Sequence, residues 1–191
     1  MSIRKSELNR YHRLNSAALS GCAVLFGSSC FAGIPVGELA RDLGADAPVY
    51  NRSLDNLTLA EAEEAFAECV CPLQPDKIFI NLGEADLAQS DFDPQRFLSA
   101  YEWLLYIMNN RLKGKTQIYI VSILSAHHAA AAVNEGLARL AEDTGCTYVD
   151  ITRAAACENT EIRVFEMLRH FLRCHALHFS EAFQISQHAL I

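Results

Sequence analysis

Short, almost entirely apolar runs alternate along this chain with longer stretches of helical periodicity. The longest runs, at 22–27, 76–82 and 116–122, read CAVLFG, DKIFINL and TQIYIVS, and shorter ones occur at 47–51 and 146–150. Such continuous apolar strands are typical of a parallel sheet, because helices cover both of its faces. The pattern therefore predicts an α/β fold, a three-layer α/β/α sandwich around five parallel strands.

Helical segments fill the intervals between these strands. The predicted helices cover 3–19, 35–43, 58–70, 93–112, 127–143, 160–172 and 180–190. Thr58 and Glu61 have the spacing of a capping box, and Asp93 precedes a proline suited to the first helical position. In the helix from 93, the residues assigned to the core are Phe97, Tyr101, Trp103, Leu104, Leu105, Met108 and Leu112.

The composition limits what the protein binds. The chain of 191 residues has 16 basic and 23 acidic side chains, a net charge of −7, so we expect no nucleic-acid partner. No apolar run approaches the roughly 20 residues of a membrane span, and the N-terminus lacks a secretory pattern. We expect one domain over 1–191, with an N-terminal helix (1–20) packed on it.

Seven cysteines lie mostly among apolar neighbours. This placement is typical of reduced thiols in a cytoplasmic protein, and their spacing does not match the usual zinc pairs. We therefore expect no metal and no cofactor, although the three-residue spacing of His175 and His178 keeps a weak metal alternative open. The sequence also leaves a homodimer open.

Small and polar residues follow the predicted strands at their carboxyl ends, where ligands bind in open α/β sheets. The first strand ends in Gly27-Ser28-Ser29. A serine becomes a nucleophile when a base, usually histidine, takes its proton. Histidines occur near the predicted last helix, in the stretch CHALHFS at 174–180. A Ser-His pair across the sheet edge is therefore the first candidate for chemistry.

Four stretches in this order resemble the conserved blocks of the SGNH, or GDSL-like, hydrolases, which are esterases, lipases and carbohydrate deacetylases with a flavodoxin-like fold. They are FGSSCFAG, YNRSLDNLT, INLGEAD and HALHFSEAF. The resemblance spans about residues 22–188. It implies hydrolysis of small carboxylic esters or acetylated carbohydrates by a Ser-His mechanism.

The resemblance also implies a role for each matching residue. It places Ser29 at the nucleophile, His178 at the base and His175 where the family has the orienting aspartate. The oxyanion donors fall on the N–H groups of Ser29 and Ser53, and Ala85 stands at the family's asparagine. Residues assigned to substrate contact are Ser28, Asn56 and Glu84.

The departures from the family pattern keep a second function open. Ala85 carries no hydrogen-bond donor, Ser53 replaces a glycine, and His175 brings no negative charge. A backbone carbonyl or Glu84 is a candidate to replace a lost partner. The alternative function is a catalytically inactive binding protein of the same fold. A nucleotide binder is disfavoured, because no glycine-rich phosphate loop is present.

Overall fold

Five parallel strands form one sheet in the computed structural model of the protein, which describes residues 3–45 and 47–172. In chain order the strands are β1 (Ala23–Gly27), β2 (Val49–Asn51), β3 (Lys77–Asn81), β4 (Gln117–Val121) and β5 (Thr147–Val149). Their order across the sheet is β2-β1-β3-β4-β5, and every neighbouring pair is parallel. The predicted five-stranded parallel sheet is confirmed.

Eight α-helices connect or flank the strands in the described part of the chain. They are α1 (Ile3–Asn15), α2 (Ser29–Ala32), α3 (Val36–Asp42), α4 (Leu59–Ala65), α5 (Glu84–Leu87), α6 (Pro94–Arg111), α7 (Ala130–Thr144) and α8 (Thr160–Leu172). None of the described helices is both long and apolar enough to cross a membrane. The predicted helix at 180–190 lies outside the described residues.

Alternate side chains of the strands point to opposite faces of the sheet, and each face has its own core. Val24 and Phe26 of β1 belong to the core that α4, α6 and α7 cover. Ala23 and Leu25 belong to the core that α2, α3 and α8 cover. The predicted three-layer sandwich is therefore confirmed, and the sheet's carboxyl edge remains between the two helical layers.

The predicted helix starts are confirmed at α4 and α6. The N–H of Thr58 donates to Glu61 at 3.2 Å, which completes one half of the capping box. At α6, Asp93 accepts from the N–H of Arg96 at 2.7 Å, and Pro94 is the first helical residue. These bonds satisfy N–H groups that have no partner inside a helix.

The core assignment along α6 is correct except at one residue. The buried residues are Phe97, Tyr101, Leu104, Leu105, Met108 and Leu112, as predicted. Trp103 is 60% exposed, so its assignment to the core was wrong. It stacks instead on exposed Tyr106, three residues further along the helix, with ring centroids 5.4 Å apart. A contact between neighbours on the outer face thus covers part of the indole.

The N-terminal helix α1 is held against the loop that follows β2. The Tyr11 hydroxyl donates to the carbonyl of Ser53 at 2.7 Å, and Arg52 Nε donates to Asn15 Oδ1 at 2.9 Å. The helix ends at Asn15, four residues before the predicted end at 19. Leu19 lies beyond the helix and is 64% exposed, so it does not pack on the core.

Candidate active site

The turn after β1 is fixed by a close approach to β3. A Cβ atom on Gly27 would lie 2.3 Å from the carbonyl oxygen of Asn81, so no other residue fits without moving backbone. The N–H of Ser28 donates to the same carbonyl at 2.9 Å. Asn81 in turn donates from its side chain to the carbonyl of Ser122 at 2.8 Å, which ties the turn to β4.

Of the two serines in this turn, Ser28 points into the protein. It is fully buried, and its hydroxyl has no hydrogen-bond partner among the described residues. A side chain in this position does not reach a ligand in the crevice. We therefore withdraw the assignment of Ser28 to substrate contact.

Ser29 lies at the start of α2 and is half-buried. Its Oγ accepts a hydrogen bond from the backbone N–H of Asn56 at 3.0 Å. The two residues are separated by 27 positions and come from the loops after β1 and β2. The structure therefore brings the predicted nucleophile against a backbone donor at the carboxyl edge of the sheet.

Asn56 adopts a left-handed backbone conformation, with φ of 53°. Asparagine tolerates this region better than most residues other than glycine. This conformation turns the Asn56 N–H toward Ser29, so Asn56 contributes a backbone group as well as a side chain to the edge of the sheet. The sequence signal is an asparagine at one of the two positions where the family has glycine.

Ser53, the predicted second oxyanion donor, has another role. Its N–H donates to Asn51 Oδ1 at 3.0 Å, and its hydroxyl donates to the carbonyl of Leu25 at 3.3 Å. Only 2% of the residue is exposed. The Ser53 N–H is therefore bonded within its own loop, and the N–H from this loop that reaches Ser29 Oγ is that of Asn56.

The third loop, after β3, begins with a glycine that no other residue can replace easily. Gly83 has φ of 124°, and a Cβ there would lie 2.4 Å from a side-chain carbon of Ile123. Glu84 and Ala85 follow in the short helix α5, and both are half-buried. Ala85 carries only a methyl group, so its side chain offers no hydrogen bond.

Asp86 ends this stretch and connects it to α4. Both of its carboxylate oxygens accept from the N–H of Leu59, at 3.0 and 3.1 Å. Burial raises the pKa of Asp86, and the Leu59 N–H opposes that rise by favouring the charged form. Asp86 therefore acts here as an anchor between two loops of the crevice.

Glu84 lies between the two segments that hold Ser29 and Asn56. Burial raises the pKa of its carboxyl group, the backbone N–H of Cys30 opposes this, and the charge of Asp55 raises it further. Cys30 directly follows Ser29, and Asp55 directly precedes Asn56. The acidic side chain of Glu84 is thus associated with the residue that follows the predicted nucleophile.

His178 and His175 lie outside the described residues. No described histidine is hydrogen-bonded to Ser29. The His127 and His128 rings contact each other at a centroid distance of 4.2 Å, and His127 Nδ1 accepts from the N–H of Ala129. The assignment of His178 as the base therefore stays a prediction.

A cleft of about 570 Å³ opens next to the third loop. Asp86 and Leu59 line one part of it, and the start of α6 lines another, including Arg96 and Phe97.

Within residues 3–45 and 47–172, no group of three His, Cys, Asp or Glu side chains is arranged to hold a metal ion.

Comparisons with solved structures identify the fold. A Streptococcus pneumoniae protein described as a platelet activating factor superposes with a TM-score of 0.74 at 17% identity, covering 88% of this chain and 92% of that one. A GDSL-like lipase from Bacteroides thetaiotaomicron gives 0.66 at 15% identity, with 85% and 93% covered. The chain has the SGNH, or GDSL-like, hydrolase fold. The predicted resemblance is thus confirmed for the fold.

An esterase of carbohydrates shares this SGNH fold. A catalytic serine-to-alanine mutant of an acetylxylan esterase from Geobacillus stearothermophilus superposes with a TM-score of 0.63 at 14% identity, covering 81% of this chain and 95% of that one. By sequence, no family model and no curated protein matches the chain.

Proposed function

We propose that this protein hydrolyses esters of small carboxylic acids, with Ser29 as the nucleophile. The observation that carries the proposal is the 3.0 Å hydrogen bond from the Asn56 N–H to Ser29 Oγ. It sets a half-buried serine hydroxyl beside a backbone donor, and we expect this donor to bond the oxyanion that forms when Ser29 Oγ attacks an ester. The SGNH fold supports the same conclusion. In the acetylxylan esterase named above, the variant described as a catalytic mutant has a serine replaced by alanine.

The proposed reaction has two halves. Ser29 Oγ forms a bond to the acyl carbon while its proton passes to His178, and the carbonyl electron pair moves onto oxygen. The N–H groups of Ser29 and Asn56 donate to that oxyanion. When the oxyanion collapses, the ester C–O bond breaks and the alcohol leaves with the proton from His178. Water then repeats the sequence on the acyl-enzyme, which releases the acid and restores Ser29.

Acetylated carbohydrates are the substrate class that we propose first. The neighbours include acetylxylan and acetyl-xylooligosaccharide esterases. The cleft beside Asp86 is not lined by Ser29 itself, but it adjoins the third loop, and its polar side chains such as Gln89 and Gln95 suit a hydroxyl-rich leaving group. A long acyl chain would bury these polar groups without partners.

The second candidate is an inactive protein of the same fold that binds a small molecule. Ala85 favours it, since losing one oxyanion donor typically lowers a rate by about 10²–10³-fold. The acidic side chain of Glu84 favours it too, because Glu84 interacts with Cys30, which follows Ser29, and a negative charge near Ser29 would oppose a developing oxyanion.

Covalent labelling separates the two candidates. An active Ser29 is expected to react stoichiometrically with a fluorophosphonate, and fragment masses of the peptide 14–41 place the adduct on Ser29 and not on Ser28. Circular dichroism shows whether the labelled protein is folded. If folded protein is modified at neither serine by millimolar probe, the inactive binding protein is the better account.

Restoring the missing donor gives a second test. We expect Ala85→Asn to raise kcat/KM for p-nitrophenyl acetate by about 10²-fold, because an amide N–H would face the oxyanion. Ala88→Asn, an exposed position at the end of the same short helix, is the matched control and should leave the rate unchanged. Hydrolysis that is absent from the natural chain and present in Ala85→Asn would favour the second candidate. Equal rates for an active natural chain and Ala85→Asn would show that residue 85 does not face the oxyanion.

A further inference from the structure

Asn51, the last residue of β2, joins the loop after β2 to the segment that carries Ser29. Its side-chain Nδ2 donates to the carbonyl of Phe31 at 2.6 Å and to that of Ile34 at 3.2 Å. Its Oδ1 accepts from the N–H of Ser53 at 3.0 Å. Because carbonyls only accept and an N–H only donates, these partners determine which way round the amide lies. Both ends of the Asn51 amide are therefore in use.

The helix α2 needs such partners because it is a single turn of four residues. A helix of this length is not stable by itself, and its last carbonyls lack the usual helical partners. Asn51 bonds the end of α2 at Phe31, and the N–H of Asn56 bonds its start at Ser29. The short helix is thus attached at both ends to the same loop, residues 51–56.

The loop itself is held to β1 by main-chain bonds that do not involve the Asn51 side chain. The N–H of Arg52 donates to the carbonyl of Leu25 at 2.8 Å, and the N–H of Leu54 donates to the carbonyl of Gly27 at 3.0 Å. Loss of the Asn51 amide should therefore leave the sheet and the loop in place and release the end of α2.

We propose that Asn51 is a positioning residue, which holds Ser29 against the N–H of Asn56 by fixing the end of α2. This inference rests on the proposed function. The bond from the Asn56 N–H to Ser29 Oγ joins residues 27 positions apart, so it depends on how the two segments lie relative to each other. A displacement of reacting groups by about 1 Å can lower a rate by about 10²-fold. Asn51 takes no part in making or breaking bonds and acts through the placement of α2.

Asn51→Asp removes the donor with almost no change in shape. An ionised carboxylate only accepts, so it keeps the bond from the Ser53 N–H and repels the carbonyls of Phe31 and Ile34. The neutral carboxylic acid has one proton to donate to a carbonyl again. The placement of Ser29 in this variant should therefore recover as the pH decreases through the pKa of the new carboxyl group. Asn51→Ala has no such group and should show no recovery.

The first test measures kcat and KM for p-nitrophenyl acetate between pH 5 and pH 9. At pH 8 we expect Asn51→Asp and Asn51→Ala to lower kcat by about 10²-fold and to leave KM near that of the natural chain, because the chemical step depends on the placement of Ser29. The ratio of kcat for Asn51→Asp to that of the natural chain should rise toward pH 5, and the ratio for Asn51→Ala should stay constant. Asn110→Asp, at an exposed position on α6, is the charge-matched control and should follow the natural chain.

The second test needs no turnover. Hydrogen exchange of the Asn56 amide, followed by NMR, reports whether its N–H stays bonded to Ser29. Ser29→Ala removes the acceptor and gives the exchange rate of the unbonded amide. At pH 8 we expect the Asn56 amide to exchange as fast in Asn51→Asp and Asn51→Ala as in Ser29→Ala, and as slowly in Asn110→Asp as in the natural chain. Thermal unfolding shows that each variant is folded at the temperature of the measurement.

The outcomes separate this inference from the proposed function. Hydrolysis that depends on Ser29, with equal kcat and equal Asn56 exchange in the natural chain and folded Asn51→Ala, overturns the role of Asn51 and leaves Ser29 as the nucleophile. A higher KM with an unchanged kcat overturns it as well, because that result indicates weaker binding. Hydrolysis that Ser29→Ala does not reduce overturns the proposed function. Fast Asn56 exchange in both Asn51 variants would then still support the placement of Ser29 by Asn51, and slow exchange would overturn it.

Discussion

Replacing Ser29 by alanine is expected to lower kcat/KM for short-chain aryl esters and for acetylated xylo-oligosaccharides by about 10³-fold or more. Removing a nucleophile takes away the covalent route, and only binding and oxyanion stabilisation remain to accelerate the reaction. The substitution should leave the fold intact, because Ser29 is half-buried and loses one hydrogen bond, the one from Asn56. Release of p-nitrophenol measures the first substrate and release of acetate measures the second.

Ser90→Ala is the control for this substitution, since Ser90 is exposed in the loop between α5 and α6. It should keep the rate of the natural chain. Thermal unfolding of all three proteins shows whether a lost rate reflects a lost fold. Equal rates for Ser29→Ala and the natural chain, with equal melting temperatures, would remove Ser29 from the mechanism.

The sheet could be predicted because its strands are continuous apolar runs, and the long helices could be predicted because their periodicity repeats over several turns. The four-residue helices α2 and α5 escaped prediction, since one turn is too short to show a period. Trp103 escaped it for another reason. A large aromatic residue in such a helix is usually expected in the core. The sequence does not show that Trp103 lies on the exposed face and stacks there on Tyr106.

The candidate site was predictable in its position and less so in its atoms. The strand ends and the serine pair located the crevice. The choice between Ser53 and Asn56 as donor depends on a left-handed backbone at Asn56 and on the bond from Ser53 to Asn51. The asparagine at position 56 is a sequence signal for the first, but no residue type indicates the second. The resemblance to the first block distinguished Ser29 from Ser28 as the nucleophile, but no residue type showed that Ser28 is fully buried.

The position of Ser29 depends on Gly27, and Gly27→Ala is expected to destabilise the protein by about 3 kcal/mol or more. The new Cβ would meet the carbonyl oxygen of Asn81 at 2.3 Å and its carbonyl carbon at 3.0 Å. Both are backbone atoms of β3, so no side-chain rotation relieves the overlap, and the strands must separate. The N–H of Ser28, which bonds the same oxygen, would be displaced with the turn.

Gly37→Ala is the matched control, because Gly37 lies in α3 and a Cβ there has no atom within 4 Å. Alanine in a helix is more stable than glycine by about 0.5–1 kcal/mol, so this variant should unfold at a slightly higher temperature.

Gly27→Ala should unfold about 6–12 °C lower than the natural chain. It should also lose ester hydrolysis at temperatures where it remains folded, because the turn that carries Ser29 moves with the strand. Equal stability of Gly27→Ala and Gly37→Ala would mean that β1 and β3 do not approach so closely, and the placement of Ser29 beside Asn56 would lose its physical basis.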